Sequence, residues 1–258
     1  MMYIPQLRNV ESMEKDKMMY TVEKMKEILY KSRTWKLAEL YPEYDGSRGI
    51  WYENLYGESF DPNNWSLGYD LGRTDKDRPH NYLQNYEKVL SGCKKNPYVL
   101  EIGTWHGAGA LFWRELLNPK LLCSIDYVWM MLPHIVDKLS YNTYPQDFIF
   151  LQADAYIEET SIIVNRMFPN GLDVISDDGS HWYTSQMSLI SLYYPLLNPG
   201  GVMLIEDIQP NSDTHNPLDV VVEYVESTGY RYELFDNRHF GEYPISSVDD
   251  ILIAIYKE

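Results

Sequence analysis

From Tyr98 onward the chain alternates short apolar runs with longer stretches of helical spacing. The apolar runs are Tyr98–Ile102, Leu121–Ile125, Phe148–Leu151, Leu172–Ile175, Val202–Ile205, Tyr230–Phe235 and Ile251–Tyr256. Helix-like stretches lie between them, near residues 108–117, 130–139, 158–168, 182–197 and 217–227. Strand and helix in alternation predict an α/β fold: a Rossmann-like, doubly wound, mostly parallel seven-stranded sheet with helices on both faces. The last two runs have no helix between them, only Gly241, Pro244 and polar residues. The sheet is therefore expected to close with an antiparallel terminal strand.

Upstream the pattern is different. Residues 13–31 place Met18, Val22, Met25 and Leu29 on one stripe, with Lys and Glu between them. That is an amphipathic helix. Its stripe suits either a cap on the core or a contact in a homo-oligomer, and the sequence does not choose. Across residues 41–73, Gly, Pro and Asn interrupt the aromatics Trp51, Tyr52, Tyr56, Phe60, Trp65 and Tyr69. Long loops of this kind are often functional. The aromatics can form platforms for flat or apolar substrate faces, sugar rings included, or a small satellite core under the loop. Residues 72–82 then lead into a helix ending near Leu90, as an ordinary cap or as a lid. The expected organisation is an N-terminal helix and loop extension over 1–71 and a main domain over 72–258.

Charge narrows the partners. Of 258 residues, 22 are Lys or Arg and 38 are Asp or Glu, for a formal net charge of -16. Such a surface repels nucleic-acid backbones and anionic membranes. Cys93 and Cys123 are the only cysteines, too few for a disulfide framework. The first residues show no apolar signal region, and no run approaches a membrane span. A cytoplasmic location is the expectation.

The candidate chemistry is acidic. Asp177-Asp178-Gly179-Ser180-His181 ends one apolar run, and Glu206-Asp207 ends another. If those runs are parallel neighbours, Asp178, Glu206 and Asp207 converge at one sheet edge with His181 close by. Carboxylates are rarely buried unless paired or bound to a cation. Three carboxylates with a histidine suggest a hard-cation site with a base beside it. Acidic helix caps are the simpler alternative, and Asp177 alone fits that reading.

The first strand ends in Glu101-Ile102-Gly103-Thr104-Trp105-His106-Gly107. Glycines there let the backbone turn sharply and approach a ligand. The spacing is not that of a dinucleotide fingerprint, because Trp105 stands where a pyrophosphate would need glycine. This argues against an NAD-type oxidoreductase on a similar sheet. Asp126, at the end of the second strand, is placed to accept from ribose hydroxyls. Asp154, at the end of the third, is placed to accept from an adenine amine. Both lie at the edge where open parallel sheets bind ligands, and each alone also fits a cap or turn.

Taken together, these residues resemble the class I S-adenosylmethionine-dependent methyltransferases. More narrowly, they resemble the metal-dependent sugar O-methyltransferases of the macrocin and mycinamicin type. The likeness rests on Glu101-Ile102-Gly103 with Gly107, Asp126, the Asp177–His181 box, Pro199-Gly200-Gly201 and Ile205-Glu206-Asp207. Arg73-Thr74-Asp75-Lys76 and His80-Asn81-Tyr82 match an upstream motif, with Arg73 where the family has Gly. The resemblance implies metal ligands at Asp178, Glu206 and Asp207, and catalysis by His181 as general base with Asp178. It implies that Glu101, Gly103, Thr104, Gly107, Asp126, Asp154, Ala155 and Tyr82 hold S-adenosyl-L-methionine. The implied ion is Mg2+, with Mn2+ or Ca2+ as rivals, and the implied acceptor is a hydroxyl of a sugar or glycan. A non-sugar natural product as acceptor, a cephalosporin-hydroxylase-like relative and a catalytically silent binding subunit are the other readings.

Overall fold

The computed structural model describes residues 20–29, 76, 80–131, 133–140, 147–210, 217–238 and 250–258. The aromatic stretch at 41–73 lies outside the described residues, as does Met18. The chain builds α1 (residues 22–29), α2 (Leu83–Leu90), β1 (Tyr98–Ile102), α3 (Ala108–Leu117) and β2 (Leu121–Asp126). It continues through α4 (Pro133–Ser140), β3 (Phe148–Gln152), α5 (Glu158–Met167), β4 (Leu172–Asp177) and α6 (Tyr183–Tyr193). Last come β5 (Leu197–Ile205), α7 (Pro217–Thr228), β6 (Arg231–Asp236) and β7 (Ile251–Tyr256).

The sheet has seven strands in the order β3-β2-β1-β4-β5-β7-β6. β1 to β5 are parallel neighbours, and β7 runs antiparallel to both β5 and β6. The last strand of the chain is thus the antiparallel one, as expected, but β6 rather than β7 forms the edge. β7 supplies Ile251, Leu252, Ile253, Ala254 and Ile255, all fully buried. A strand so apolar is stable only with a neighbour on each side and a layer on each face.

Period-two alternation divides the core. Val99, Leu122, Val174 and Leu204 point to one face, against α1, α2, α3 and α4. Leu100, Cys123, Ile175 and Met203 point to the other, against α5, α6 and α7. The stripe on α1 caps the first core: Met25 and Leu29 are buried there with Tyr86 and Trp113. Between β1 and β4 the winding direction reverses. That switch point opens a crevice at the carboxyl ends of the strands, where open sheets bind ligands.

Candidate functional site

The glycine turn and the acidic turn meet at the switch point. Gly103 has φ +85, a conformation L side chains rarely adopt. Its N–H donates to the Ile125 carbonyl at 3.0 Å, and the Asp178 N–H donates to the Ile102 carbonyl at 2.9 Å. A Cβ at Gly103 would stand 2.0 Å from the Asp178 carbonyl oxygen. Only glycine lets the two turns close on each other. Gly103→Ala is expected to destabilise the fold by about 2–5 kcal/mol, from left-handed strain plus backbone overlap. Equilibrium denaturation in urea checks it.

The expected cofactor residues line this edge. Asp126 accepts from the Trp105 N–H at 2.8 Å and the Val128 N–H at 3.3 Å, tying the glycine turn to the end of β2. Trp105 itself has φ 44 and an exposed ring. Asp154 accepts from the Tyr156 N–H at 2.8 Å. Thr104 is buried, and its hydroxyl has no partner among the described residues. Gly107 has φ +89 and opens α3, while Ala155 is buried with its carbonyl accepting from Tyr193 Oη at 2.7 Å.

Glu101 lies beneath the turn, fully buried, accepting from Ser124 Oγ at 2.6 Å. Burial pushes its carboxyl up to about 8, against the opposing pull of Ser124 and Lys76. The folded state therefore holds this proton more tightly than the unfolded chain does. The resulting stability is full below about 4.5 and is lost as pH rises towards about 8. Glu101→Gln imitates the neutral form. The melting temperature of the variant is expected to gain on that of the native protein steadily from about pH 5 to about pH 9. Asp177, pushed up to about 7 by burial, acts in the same sense in both proteins.

β4 and β5 are parallel neighbours in a register that pairs Asp177 with Ile205, so the two acidic turns sit side by side. His181 Nε2 lies 3.9 Å from Asp178 Oδ1 and 3.7 Å from Asp207 Oδ2. One ligand atom from each of Asp178, His181 and Asp207 falls within 4.8 Å of the others. Asp207 adopts φ 53, strained for a non-glycine residue. Tyr82 holds it there: its Oη donates to Asp207 Oδ1 at 2.6 Å and accepts from the Asp207 N–H at 3.1 Å. Next to it, His80 Nδ1 is 2.6 Å from Asp250 Oδ1.

Two expected roles read differently in three dimensions. Tyr82 is completely buried, and its hydroxyl supports Asp207 from beneath. Glu206 is expected to be a third ligand, yet Ser176 Oγ (2.8 Å) donates to one oxygen and Lys76 Nζ (2.5 Å) to the other. It is joined to the Asp178–His181–Asp207 group through Lys76, which bonds Asp178 as well. Lys76 also donates to Asp178 Oδ2 at 2.9 Å. Burial works against this ammonium, but Asp178 and Glu206 outweigh burial and raise its pKa.

Tyr156 escapes sequence reading altogether. Its Oη donates to Asp177 Oδ1 at 2.8 Å and accepts from the Ser180 N–H at 2.7 Å, fixing the turn that carries His181. A Cβ at Gly179 would come within 2.5 Å of that hydroxyl. The glycine was the one available signal, and it does not say which residue needs the space.

Residues 100–208 match the family model described as a methyltransferase domain. A Streptomyces olivaceus protein, 8-demethyl-8-alpha-L-rhamnosyl tetracenomycin-C 2'-O-methyltransferase, is 33% identical over 179 residues, covering 66% of this chain and 44% of that protein. An uncharacterised protein, R132 of Acanthamoeba polyphaga mimivirus, is 26% identical over 134 residues, covering 50% of this chain and 60% of that protein. The chain thus spans about half the length of the curated relatives it matches. Among solved structures, the MycE methyltransferase from the mycinamycin biosynthetic pathway, in complex with Mg and SAH, aligns with TM-score 0.51 at 17% identity. That alignment covers 70% of this chain and 50% of that one, and it speaks to the fold. No helix among the described residues is long and apolar enough to cross a membrane. The matched segment, residues 100–208, holds the glycine turn and both acidic turns at the switch point, and the likeness to the MycE structure gives the chain a methyltransferase-like fold.

Proposed function

We propose that the protein is an O-methyltransferase that uses S-adenosylmethionine and a divalent metal ion to methylate a hydroxyl of a sugar or glycan. The observation that carries this reading is the meeting of Asp178, Asp207 and His181 beside the glycine turn. The donor set fits a hard cation: two carboxylate oxygens from adjacent turns face the same space as the imidazole. Asp178 and Asp207 would hold the ion, and all-oxygen ligation favours Mg2+, with Mn2+ or Ca2+ as rivals. Bound there, a divalent ion would supply the positive charge that acidifies a nearby hydroxyl.

The remaining work falls to this chain's own residues. Gly103, Thr104, Gly107, Asp126, Asp154 and Ala155, at the carboxyl ends of β1, β2 and β3, would hold the donor. Glu101 sits below, beside Lys76. His181 is the base: its side chain is 33% exposed, so an acceptor can reach Nε2. The acceptor oxygen gives its proton to His181 as it bonds to the methyl carbon and the carbon–sulfur bond breaks. Trp182, the next residue, is 73% exposed and offers a ring face beside that base. The rhamnosyl methyltransferase relative favours a sugar acceptor.

The test is mass spectrometry of glycans and glycosides incubated with the protein, S-adenosylmethionine and Mg2+. A gain of one methyl group on a sugar hydroxyl, lost in chelator, is the expected result. Methylation that persists in chelator would remove the metal from the reading. S-adenosylmethionine should also raise the melting temperature, and NAD should not.

A further inference from the structure

Of the acids at the site, Asp207 alone sits in a left-handed backbone conformation, at φ 53. Strain of this kind persists only where the surroundings over-determine it. Here the surroundings are the start of β7 and the residues before α2. The Ile208 N–H donates to the Ile251 carbonyl at 3.0 Å, and Tyr82 Oη donates to Asp207 Oδ1. Tyr82 is stacked on His80, with ring centres 5.3 Å apart and planes 11° from parallel. His80 Nδ1 lies 2.6 Å from Asp250 Oδ1 and 3.4 Å from Asp207 Oδ1. An ionised carboxylate only accepts, so Nδ1 is the donor. Asn237 closes the set: its backbone N–H donates to the Asp250 carbonyl at 2.8 Å, and its side-chain amide to the His80 carbonyl at 3.2 Å. His80, Asp207, Asn237 and Asp250 are all buried. Neither His80 nor Asp250 has a part in the chemistry above, and a well-packed apolar pair in their place would serve stability about as well.

We propose that His80 and Asp250 are positioning residues that fix Asp207 for the divalent ion. The inference rests on the metal reading above. Asp250 anchors His80 through the Nδ1–H. His80, so anchored, sets the ring plane of Tyr82 by stacking. Tyr82 then holds Asp207 Oδ1, which leaves Oδ2 turned towards the space shared with Asp178 and His181. The closer of the two His80 contacts is with Asp250, and this leaves Asp207 to Tyr82 and to the ion. The residue just before β7 thus acts on the ion through two rings and one acid.

In His80→Phe the ring remains and the N–H is lost. The double variant His80→Phe with Asp250→Leu also removes the carboxylate that the first change deprives of this partner, so it is expected to fold. Both proteins are expected to bind Mn2+ about 10- to 100-fold more weakly than the native protein, the usual cost of losing a group behind a metal ligand. The loss in the double variant should be no larger than in the single one, since the two residues act in series. Affinity for S-adenosylmethionine should stay close to native. His80→Asn, which returns an N–H near the place of Nδ1, should bind Mn2+ within about threefold of native. Free Mn2+ measured by electron paramagnetic resonance reads every protein without reference to activity. A folded double variant that binds Mn2+ within about threefold of native overturns the proposal, as does a loss in His80→Asn equal to that in His80→Phe. If neither His80→Phe nor the double variant folds, the pair is a brace of the fold and the proposal is overturned. Native protein that binds no Mn2+ removes the metal reading and this inference with it, whereas native binding matched by the variants removes this inference alone.

Discussion

His181→Ala is expected to slow methyl transfer by about 100- to 10,000-fold while leaving the affinity for S-adenosylmethionine close to native. A sugar hydroxyl is a weak acid, so the transition state needs a group to accept its proton as the new bond forms. The imidazole is the one half-exposed base in the Asp178–His181–Asp207 group, and Tyr156 fixes the turn on which it stands. The substitution removes a side chain at the surface of the crevice and touches no core, so the fold should persist. Single-turnover kinetics with saturating donor read the chemical step directly. A variant within threefold of native would show that another group takes the proton.

Asp178→Asn is expected to abolish turnover while the donor still binds. This carboxylate accepts from Lys76 on Oδ2, and under the proposed function its Oδ1 would meet a divalent ion in the space shared with His181 and Asp207. The amide keeps the shape and loses the charge. Metal affinity should drop by more than tenfold, since such sites depend on the count of anionic ligands. Lys76 loses one of its two counter-charges, so a modest fall in melting temperature should accompany the loss. Calorimetric titration with donor and then with Mn2+ separates the two effects. Donor binding lost together with turnover would point instead to a collapsed crevice, since the Asp178 backbone packs on Gly103.

Most of the sheet was legible before any coordinates. Six of the seven predicted runs begin and end within two residues of the observed strands, because buried parallel strands are continuous apolar runs. The exception is β5, which starts five residues before the predicted run, at Leu197, and passes through Asn198 and Pro199, residues without strand character. The location of the site was legible too. Acids and glycines after successive apolar runs have to gather at one edge once the strands are parallel. The neighbours of those acids were not. Lys76 is 130 residues from Glu206, and Tyr82 is 125 residues from Asp207.

By itself, the sequence determined the layered architecture and the edge at which the glycine turn and the acidic turns gather. Periodicity and turn chemistry are local properties, and residues a few positions apart encode them. Only the tertiary structure decided which carboxylate faces which cation. Asp178, Glu206 and Asp207 are the same kind of group on paper. They differ because a buried ammonium and a serine hydroxyl claim Glu206, a buried tyrosine steadies Asp207, and Asp178 is shared. Such a division is set by distances between segments far apart in the chain. The energy between charges in a dry interior is large and changes steeply over a few ångströms, so its effect is known only when those distances are known.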